Sequence, residues 1–192
     1  MPKRVDPEER RRLIADALMR VAAEQGLESV SLRHVATQAG VSAGMVQHYF
    51  RTRDEMMTFA LSVIRERAQA RITEALAGLD ADPPPRLLLR TMIEAVLPLD
   101  EESRDNGRVA LAFLAYTAVR PAAAAELHED TARMVDFAAS LLALPDPTGA
   151  ASALLALMEG LGIYLLGGQY TAGQALRALD AQLDLLFPAE VS

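Results

Sequence analysis

Histidine and glycine residues are the groups in this 192-residue sequence that could form a metal or cofactor site, and their spacing does not support one. The histidines are His34, His48 and His128, and none lies in an H-E-x-x-H arrangement that would place two imidazoles on one helix face. The glycines between residues 160 and 168 fall in an apolar helical stretch, whereas a dinucleotide-binding glycine loop must follow a strand. The chain has no cysteine, which excludes thiol nucleophiles and Cys-based metal sites. We therefore expect no catalysis, no cofactor and no metal.

Small and aliphatic residues between positions 36 and 46 indicate a helix–turn–helix. Ala36 is the small residue that lets two helices cross closely, and Gly40 is a turn residue that accepts a positive φ. Val46 is an aliphatic residue that would pack the second helix onto the first. The same spacing occurs at ordinary corners of all-α proteins. Spacing alone therefore leaves both a DNA-reading motif and a purely structural corner open.

The outward residues of the second helix of this motif suit the edges of DNA bases. They are Ser42, Ala43, Gly44, Met45, Gln47 and His48. Short side chains at the start of the helix would let it enter a major groove about 12 Å wide. Gln47 could pair with an adenine edge, and Met45 or Ala43 could touch a thymine methyl group. The residues that could hold phosphates, helped by helix N-termini, are Ser31, Arg33, Ser42, Tyr49, Arg51 and Arg53.

Residues 35–55, VATQAGVSAGMVQHYFRTRDE, resemble the signature of the tetracycline-repressor (TetR) family, and the resemblance is tight over residues 7–60. It implies a homodimeric, all-α, ligand-responsive transcription regulator, usually a repressor, that binds a palindromic operator and is released by a small molecule. The resemblance assigns the recognition helix to Ala43–Tyr49 and phosphate contacts to Ser31, Ser42, Tyr49 and Arg53. Many members have tyrosine where Gln47 stands and lysine where Arg53 stands. The Gln-His-Tyr-Phe form is more similar to the choline/betaine-regulator (BetI-like) branch.

Helix signals continue along the whole chain, and no run alternates polar and β-branched residues as a strand would. Caps are predicted at Asp6, Ser31 and Ser42, with capping boxes at Thr52–Glu55 and Thr171–Gln174. Residues 100–107 are expected to be a polar connection or a frayed helix start, followed by a helix over 109–119. We expect an all-α fold of about nine helices, with a three-helix DNA-binding domain at 1–53 and a ligand-binding and dimerisation bundle at 54–192.

Two apolar helices are predicted near the C-terminus. Residues 150–168 fit either a membrane span or a helix buried in a bundle or subunit interface. The central Glu159 would cost roughly 2.5–3.5 kcal/mol in a membrane, which favours the buried helix. Leucines at 176, 179, 183 and 186 form a packing seam that is either internal core or, as the resemblance favours, half of a four-helix dimer interface. The residues predicted for that interface are Leu154, Met158, Leu161, Leu165, Leu176, Leu179, Leu183 and Leu186.

The resemblance implies an effector site among the middle helices, at about residues 54–168. Large or adaptable side chains there suit an apolar cavity, so we expect a largely apolar small molecule. Glu94 and Glu159 lie in apolar stretches and would meet a polar or cationic group, or be solvated or salt-bridged. The candidate ligand contacts are Met92, Val96, Phe113, Tyr116, Met134, Phe137, Met158 and Tyr164.

Charge is unevenly distributed along the chain. The formal net charge is −7, but residues 1–71 carry +3 and residues 72–192 carry −10. A basic end fits operator DNA as the partner, and an acidic body limits nonspecific association with DNA. The first residues contain no apolar signal region, so we expect a cytoplasmic location without a membrane partner. The alternative function is a helical small-molecule-binding or interaction protein without DNA binding, which would have no reason to keep Arg33, Arg51, Arg53 and Tyr49 beside an intact cap at Thr52.

Overall fold

The computed structural model describes residues 6–118 and 120–188, and within these residues it consists of α-helices joined by turns and short loops. The helices are α1 (Pro7–Gln25), α2 (Leu32–Ala39), α3 (Ala43–Tyr49), α4 (Arg53–Leu76), α5 (Pro85–Val96), α6 (Glu101–Ala118), α7 (Pro121–Ser140), α8 (Pro147–Leu166) and α9 (Ala172–Leu186), with a 3₁₀ turn at Leu27–Ser29. The predicted all-α class is confirmed. The predicted helix over 109–119 ends at a residue, Val119, that lies outside the described residues.

The predicted caps form, with one change. Asp6 accepts a hydrogen bond from the Glu8 backbone N–H at 3.0 Å. Thr171 and Gln174 make the reciprocal pair of bonds that defines a capping box. At the start of α4 only half of the predicted box is present. The Thr52 hydroxyl accepts from the Glu55 N–H at 3.0 Å, but the Glu55 carboxylate accepts from the backbone N–H of Arg51 at 2.9 Å.

Helix α6 begins earlier than the sequence pattern predicts. Asp100 and Ser103 bond reciprocally: the Asp100 N–H donates to the Ser103 hydroxyl at 3.0 Å, and the Ser103 N–H donates to the Asp100 carboxylate at 2.8 Å. This cap gives hydrogen-bond partners to backbone amides that would otherwise have none at the start of the helix, so the helix does not fray and residues 101–107 are helical. Helix α7 ends at Ser140, whereas the sequence pattern carries it to about Leu144.

The chain forms two compact units. The first contains residues up to 67 and the segment 108–120, and the second contains 68–107 and the residues from 121 onward. The interior of the first unit is built from large side chains with almost no solvent exposure, among them Ile14, Leu18, Val21, Val35, Val46, Phe50, Met56 and Met57. The predicted functional boundary between residues 53 and 54 stays a prediction, because compactness is a different criterion from function.

The core of the second unit joins α5, α7, α8 and α9 through Leu89, Ile93, Ala138, Leu142, Leu154, Leu161, Leu165, Leu179 and Leu183. Two arginines of α5 form ion pairs with aspartates of α9. Arg90 donates through Nε to Asp180 at 2.8 Å, and Arg86 donates through Nη2 to Asp184 at 2.6 Å. The bond between them raises the pKa of the Arg90 guanidinium and lowers the pKa of the Asp180 carboxyl.

The leucines predicted for a dimer interface lie mostly inside this core. Leu154, Leu161, Leu165, Leu179, Leu183 and Leu186 are buried by their own chain, whereas Met158 and Leu176 are half-buried. A side chain without solvent exposure in the single chain cannot contact a second copy unless the core rearranges. Leu179, Leu183 and Leu186 of the leucine seam therefore serve the internal core. A dimer contact through α8 and α9 stays a prediction, and other residues must make it.

Helix α8 buries only one of its faces. By length and composition alone it is the one described helix that could cross a membrane, a test that core helices of other proteins also pass. Ala151, Leu154, Leu161 and Leu165 lie in the core, while the opposite side exposes Ala153, Ala156 and Ile163. Burial is therefore narrower within the single chain than the sequence pattern predicts, which leaves an uncovered face of mainly apolar residues that also carries Glu159.

Candidate DNA-recognition surface and effector domain

Helices α2 and α3 form the predicted helix–turn–helix. Gly40 ends α2 with φ of 67° and ψ of 30°, a left-handed conformation that glycine adopts without strain. The Val41 N–H donates to the Ala36 carbonyl at 3.0 Å, which closes the turn. Val35, Ala36 and Val46 are buried. The residues chosen for the crossing, the turn and the packing contact thus occupy the predicted places.

The outward face of α3 is open to solvent. Ala43, Gly44, Gln47 and His48 are exposed, and Met45 is half-buried. The nearest atom to a Cβ placed on Gly44 would be the Ser42 hydroxyl at 4.0 Å, so the N-terminal end of the helix presents little bulk. The Gln47 amide offers both a donor and an acceptor, the pair needed for an adenine edge.

Two serine hydroxyls cap the helices of this motif. Ser31 accepts from the His34 N–H at 3.1 Å, and Ser42 accepts from the Met45 N–H at 3.1 Å. Each hydroxyl accepts through oxygen and keeps its own hydrogen, which it can donate to a further acceptor such as a phosphate oxygen. Both serines are exposed, and each marks a helix N-terminus that favours anions. The two predicted phosphate contacts therefore have suitable geometry.

Arginine side chains near this surface differ in their accessibility. Arg33 in α2 and Arg51 after α3 are exposed, and the described residues give neither guanidinium a carboxylate partner. Tyr49 is half-buried, with its ring edge-on to the His48 ring at a centroid distance of 5.2 Å. Arg33, Arg51 and Tyr49 can therefore reach a DNA backbone from the surface of the unit.

Arg53 points into the protein. Its Nη2 donates to the Leu27 carbonyl at 2.6 Å, and its Nε is buried without a hydrogen-bond partner among the described residues. The predicted phosphate contact of Arg53 is therefore not preformed. Its guanidinium is committed to the 3₁₀ turn between α1 and α2.

Tyr116 of α6 is buried close to Arg53 in the first unit. Its hydroxyl donates to the Asp54 carboxylate at the start of α4, and the Arg120 guanidinium lies 3.9 Å from the centre of its ring. Burial, followed by the bond to Asp54, raises the pKa of the Tyr116 hydroxyl, so the phenol keeps its proton at neutral pH. The sequence interpretation missed this contact because Asp54 and Tyr116 are 62 positions apart.

A second interior arginine fixes α1 against the end of the recognition helix. The Arg11 guanidinium lies 4.9 Å from the ring centre of Phe50 and 4.7 Å from that of Phe59. Arg67 pairs with Asp16 at 2.6 Å, and Arg12 pairs with Glu66 at 2.9 Å. These charged residues of α1 and α4 are paired with one another. The basic balance of the N-terminal segment is therefore only partly available to DNA.

The predicted effector contacts are divided between the two units. Phe113 and Tyr116 are buried in the first unit, whereas the other six lie in the second. Within the second unit Met92, Val96 and Met158 are half-buried, and Met134, Phe137 and Tyr164 are exposed. Tyr164 packs edge-on against Tyr170 at 5.0 Å between ring centres. Only these six stay candidates for one site within the second unit.

The two glutamates of the apolar stretches have different surroundings. Glu94 is bonded to Arg90, which also pairs with Asp180, so Glu94 belongs to the group of ion pairs between α5 and α9. Glu159 is the one charged residue of α8 and has no ion-pair partner among the described residues. Its carboxylate keeps access to solvent, but partial desolvation by the surrounding protein raises its pKa. An anion with no countercharge is suited to a cationic ligand.

Comparison with known proteins places both parts of the chain. Residues 14–58 match the bacterial regulatory proteins of the tetR family, and residues 85–188 match the C-terminal domain of BetI-type transcriptional repressors. The HTH-type transcriptional regulator BetI of Burkholderia thailandensis is 32% identical over 193 residues, which cover 97% of each chain.

Solved structures of other regulators share the fold. A transcriptional regulator from Rhodococcus sp. RHA1 has a TM-score of 0.84 and 34% identity, covering 95% of this chain and 98% of that one. A transcriptional regulator from Saccharomonospora viridis, solved in complex with choline, has a TM-score of 0.79 and 22% identity, covering 92% of this chain and 96% of that one. The matches to both segments and the full-length likeness to BetI agree with the exposed helix–turn–helix: this chain belongs to the TetR family of transcriptional regulators, with a C-terminal domain of the BetI type.

Proposed function

We propose that this regulator is a repressor that binds a palindromic operator as a homodimer in the cytoplasm and leaves it when a small molecule binds the second compact unit. The observation that carries the DNA-binding part is the exposed face of α3, held by two serine caps and the left-handed turn at Gly40. The alternative, a helical protein without DNA binding, does not account for an open α3 face flanked by the exposed Arg33 and Arg51.

Base and phosphate contacts have separate tasks on this surface. Gln47 and His48 of α3 project toward base edges, while Ala43 and Gly44 let the helix approach closely and Met45 supports it from a half-buried position. Ser31, Ser42, Arg33 and Tyr49 hold phosphates and fix the register of the helix. Base contacts carry sequence preference, whereas phosphate contacts carry affinity and its dependence on salt.

The uncovered faces of α8 and α9 are the proposed dimer contact. Leu185 of α9 is 74% exposed and Ile163 of α8 is 43% exposed, and both are large aliphatic side chains left at the surface of the single chain. Ala153, Ala156 and Ala181 add small apolar groups to these faces. Water would contact this apolar surface in a monomer, and a second copy would remove it. A symmetric dimer also supplies the two recognition helices, about 34–36 Å apart, that a palindrome requires.

The proposed effector combines an apolar body with a positive charge. Met92, Val96, Met134, Phe137, Met158 and Tyr164 supply adaptable apolar groups in the second unit. Glu159 supplies a carboxylate without a countercharge, which the purely apolar effector expected from the sequence would not use. The similar regulator that was solved with choline supports a quaternary ammonium compound as the first ligand to test.

Selection of DNA by the purified protein tests the proposal. Duplexes retained from a random-sequence library would be sequenced, and the enriched sequence would serve as the operator probe in fluorescence anisotropy. We expect an inverted repeat, bound more tightly than a scrambled duplex, with affinity falling steeply as salt rises. Absence of enrichment at low salt would refute DNA recognition, and enrichment of a single half-site would refute the dimeric arrangement.

Two substitutions separate the roles on α2 and α3. Gln47→Ala should change which base is preferred at one position of each half-site, at a cost of about 1–3 kcal/mol for the wild-type sequence. Arg33→Ala should weaken binding to all sequences alike and lower the salt slope by about two, because each copy in the dimer loses one phosphate contact. If Gln47→Ala leaves the preference unchanged, Gln47 does not contact a base.

Ligand binding is tested on the same operator complex. Choline should displace the protein from the probe, and its uncharged analogue 3,3-dimethyl-1-butanol should do so less well if Glu159 meets the charge. Glu159→Gln should then reduce the difference between the two compounds. Equal potency of the two compounds on the wild type would leave Glu159 without this role.

A further inference from the structure

We propose that Arg11 of α1 positions the recognition helix α3 through two phenylalanine rings and through the carboxylate that is bonded to the chain just after that helix. The inference rests on the operator binding proposed above and adds to it a residue that lies outside the helix–turn–helix. Arg11 acts through its neighbours, without itself contacting DNA, so it is a positioning residue.

Two phenylalanine rings from different elements hold the Arg11 guanidinium. Phe50 ends α3 and is fully buried, and Phe59 lies in the early part of α4. The guanidinium carbon is 4.9 Å from the centre of the Phe50 ring and 4.7 Å from that of the Phe59 ring, and the two ring centres are 5.5 Å apart. Both distances lie within the range of an attractive cation–π contact. One side chain of α1 therefore contacts the end of α3 and the start of α4 at once.

The Glu55 carboxylate of α4 adds a polar contact to this group. One of its oxygens accepts a hydrogen bond from the Arg51 backbone N–H at 2.9 Å, and the other lies 3.9 Å from Nη2 of Arg11. Arg51 is the second residue after α3. The same carboxylate is thus bonded to the chain that leaves the recognition helix and attracted by the guanidinium of α1. Arg11 therefore restricts the path of the chain at this end of α3.

Helix α3 depends on such an anchor because its own core contact is small. It has seven residues, of which Val46 alone is buried. Most of its other side chains face solvent, so its direction is set largely by the residues at its two ends. Phe50 is the anchor at the C-terminal end, and Arg11 lies against it.

The charge of Arg11 has a cost that an apolar side chain would avoid. Its Nε is buried and has no hydrogen-bond partner in the part of the chain that the structure describes. A buried N–H group without an acceptor lowers stability. The guanidinium adds in return an attraction to both rings and to Glu55 at once, which favours one arrangement of α1, α3 and α4. Packing alone would not require a charged group here.

An ordered recognition helix has a specific consequence for DNA binding. A helix that is already in place loses little conformational entropy when it enters the groove. Loss of the Arg11 contacts should therefore weaken the specific complex, in which the helix must lie at a defined depth and angle. Nonspecific binding uses phosphates of any sequence and should change little.

Anisotropy titrations of the operator probe and of a scrambled duplex, each at several salt concentrations, test this role. The variants are Arg11→Ala, Phe59→Leu and the two combined. Arg12→Ala is the matched control, because Arg12 is the next residue of α1, carries the same charge and is ion-paired with Glu66 at the surface.

We expect Arg11→Ala to weaken operator binding about tenfold, because each of two copies loses a contact that is worth roughly two- to fivefold in an equilibrium constant. The salt slope and the affinity for the scrambled duplex should stay as in Arg12→Ala. Phe59→Leu keeps an apolar side chain but removes one ring, so it should weaken operator binding in the same way. The double variant should lose less than the product of the single losses, because both changes disturb one group of contacts.

Hydrogen exchange at single amides, followed by NMR, measures the order of this helix end without DNA. In Arg11→Ala the backbone amides of Phe50 and Arg51 should exchange roughly two- to fivefold faster than in the wild type. In Arg12→Ala they should exchange at the wild-type rate. Unchanged exchange in Arg11→Ala would overturn the proposal.

Two binding results would also overturn it. One is an operator affinity of Arg11→Ala equal to that of Arg12→Ala. The other is an equal loss on both duplexes with a salt slope lowered by about two, which would make Arg11 a phosphate contact in each copy. Circular dichroism melting would set a temperature at which every variant is folded. A wild type that retains no specific duplex would refute the operator-binding proposal, whereas the exchange rates of the DNA-free protein report on Arg11 alone, so the two failures are distinct.

Discussion

The dimer contact proposed for α8 and α9 can be tested at Leu185. Substitution by alanine removes three carbons from a residue that is 74% exposed in the single chain. At about 0.8 kcal/mol per buried methylene, and with the exposed fraction covered by the partner, the loss is about 1.8 kcal/mol in each copy. A two-fold axis presents the same change twice, so the dimer should lose roughly 3.5 kcal/mol, or roughly 400-fold in its dissociation constant.

Sedimentation equilibrium over a wide concentration range measures this constant directly. Leu87→Ala is the matched control, because Leu87 of α5 is also an exposed leucine, at 40%, and lies outside the proposed contact. Its variant should dimerise as the wild type does. Leu185 makes little contact with the chain's own core, so Leu185→Ala should leave an intact folded monomer by circular dichroism. A Leu185→Ala protein that dimerises with the wild-type constant would refute the reasoning and move the interface elsewhere.

Three further substitutions test local features of the structure. Gly40→Ala should cost about 1 kcal/mol of unfolding free energy in urea titration, because an added Cβ meets no atom within 4 Å and only the φ of 67° resists it; a much larger loss would reveal a steric clash. The bond to Arg90 lowers the pKa of Asp180 in the folded protein, so the stability advantage of the wild type over Asp180→Asn should be full above the unfolded pKa of about 4 and disappear as pH falls through the lower folded value. An advantage independent of pH in thermal melts would contradict the ion-pair explanation. Desolvation raises the pKa of Glu159, so Glu159→Gln should be more stable than the wild type at pH 8, with the gap closing as pH falls through the folded pKa toward about 4; a wild type that is the more stable protein at pH 8 would show that Glu159 has a favourable partner.

The DNA-reading motif could be predicted from the sequence because its determinants are local. Ser42 caps α3 through an amide three residues away, and the turn at Gly40 closes through a bond between Val41 and Ala36. Such interactions depend on residue types within one or two helical turns. The order and approximate bounds of the helices followed for the same reason, since caps and prolines mark most of their starts.

Helix ends were less predictable where a cap depends on an uncommon pair. Asp100 and Ser103 form a reciprocal cap that makes 101–107 helical, although the composition of this segment resembles a loop. At α4 the Glu55 carboxylate has two amides within reach and bonds that of Arg51. The sequence pattern does not distinguish between such neighbouring donor positions.

The amino-acid sequence by itself determined the helical class, the helix–turn–helix, the candidate base-reading residues and the likeness to TetR regulators, because each depends on short-range spacing. Tertiary structure decided which side chains of each helix are buried and which lie at the surface. Arg53 and Arg33 are both arginines near a predicted DNA surface, yet only Arg53 finds a carbonyl and an aromatic cluster inside the unit. The leucines of α9 have helical spacing suited to either core or dimer contact, and the burial of Leu179, Leu183 and Leu186 assigns these three to the core. Side-chain direction follows from contacts between residues far apart in the chain, such as Asp54 and Tyr116, and the spacing of residues along one helix does not contain that information.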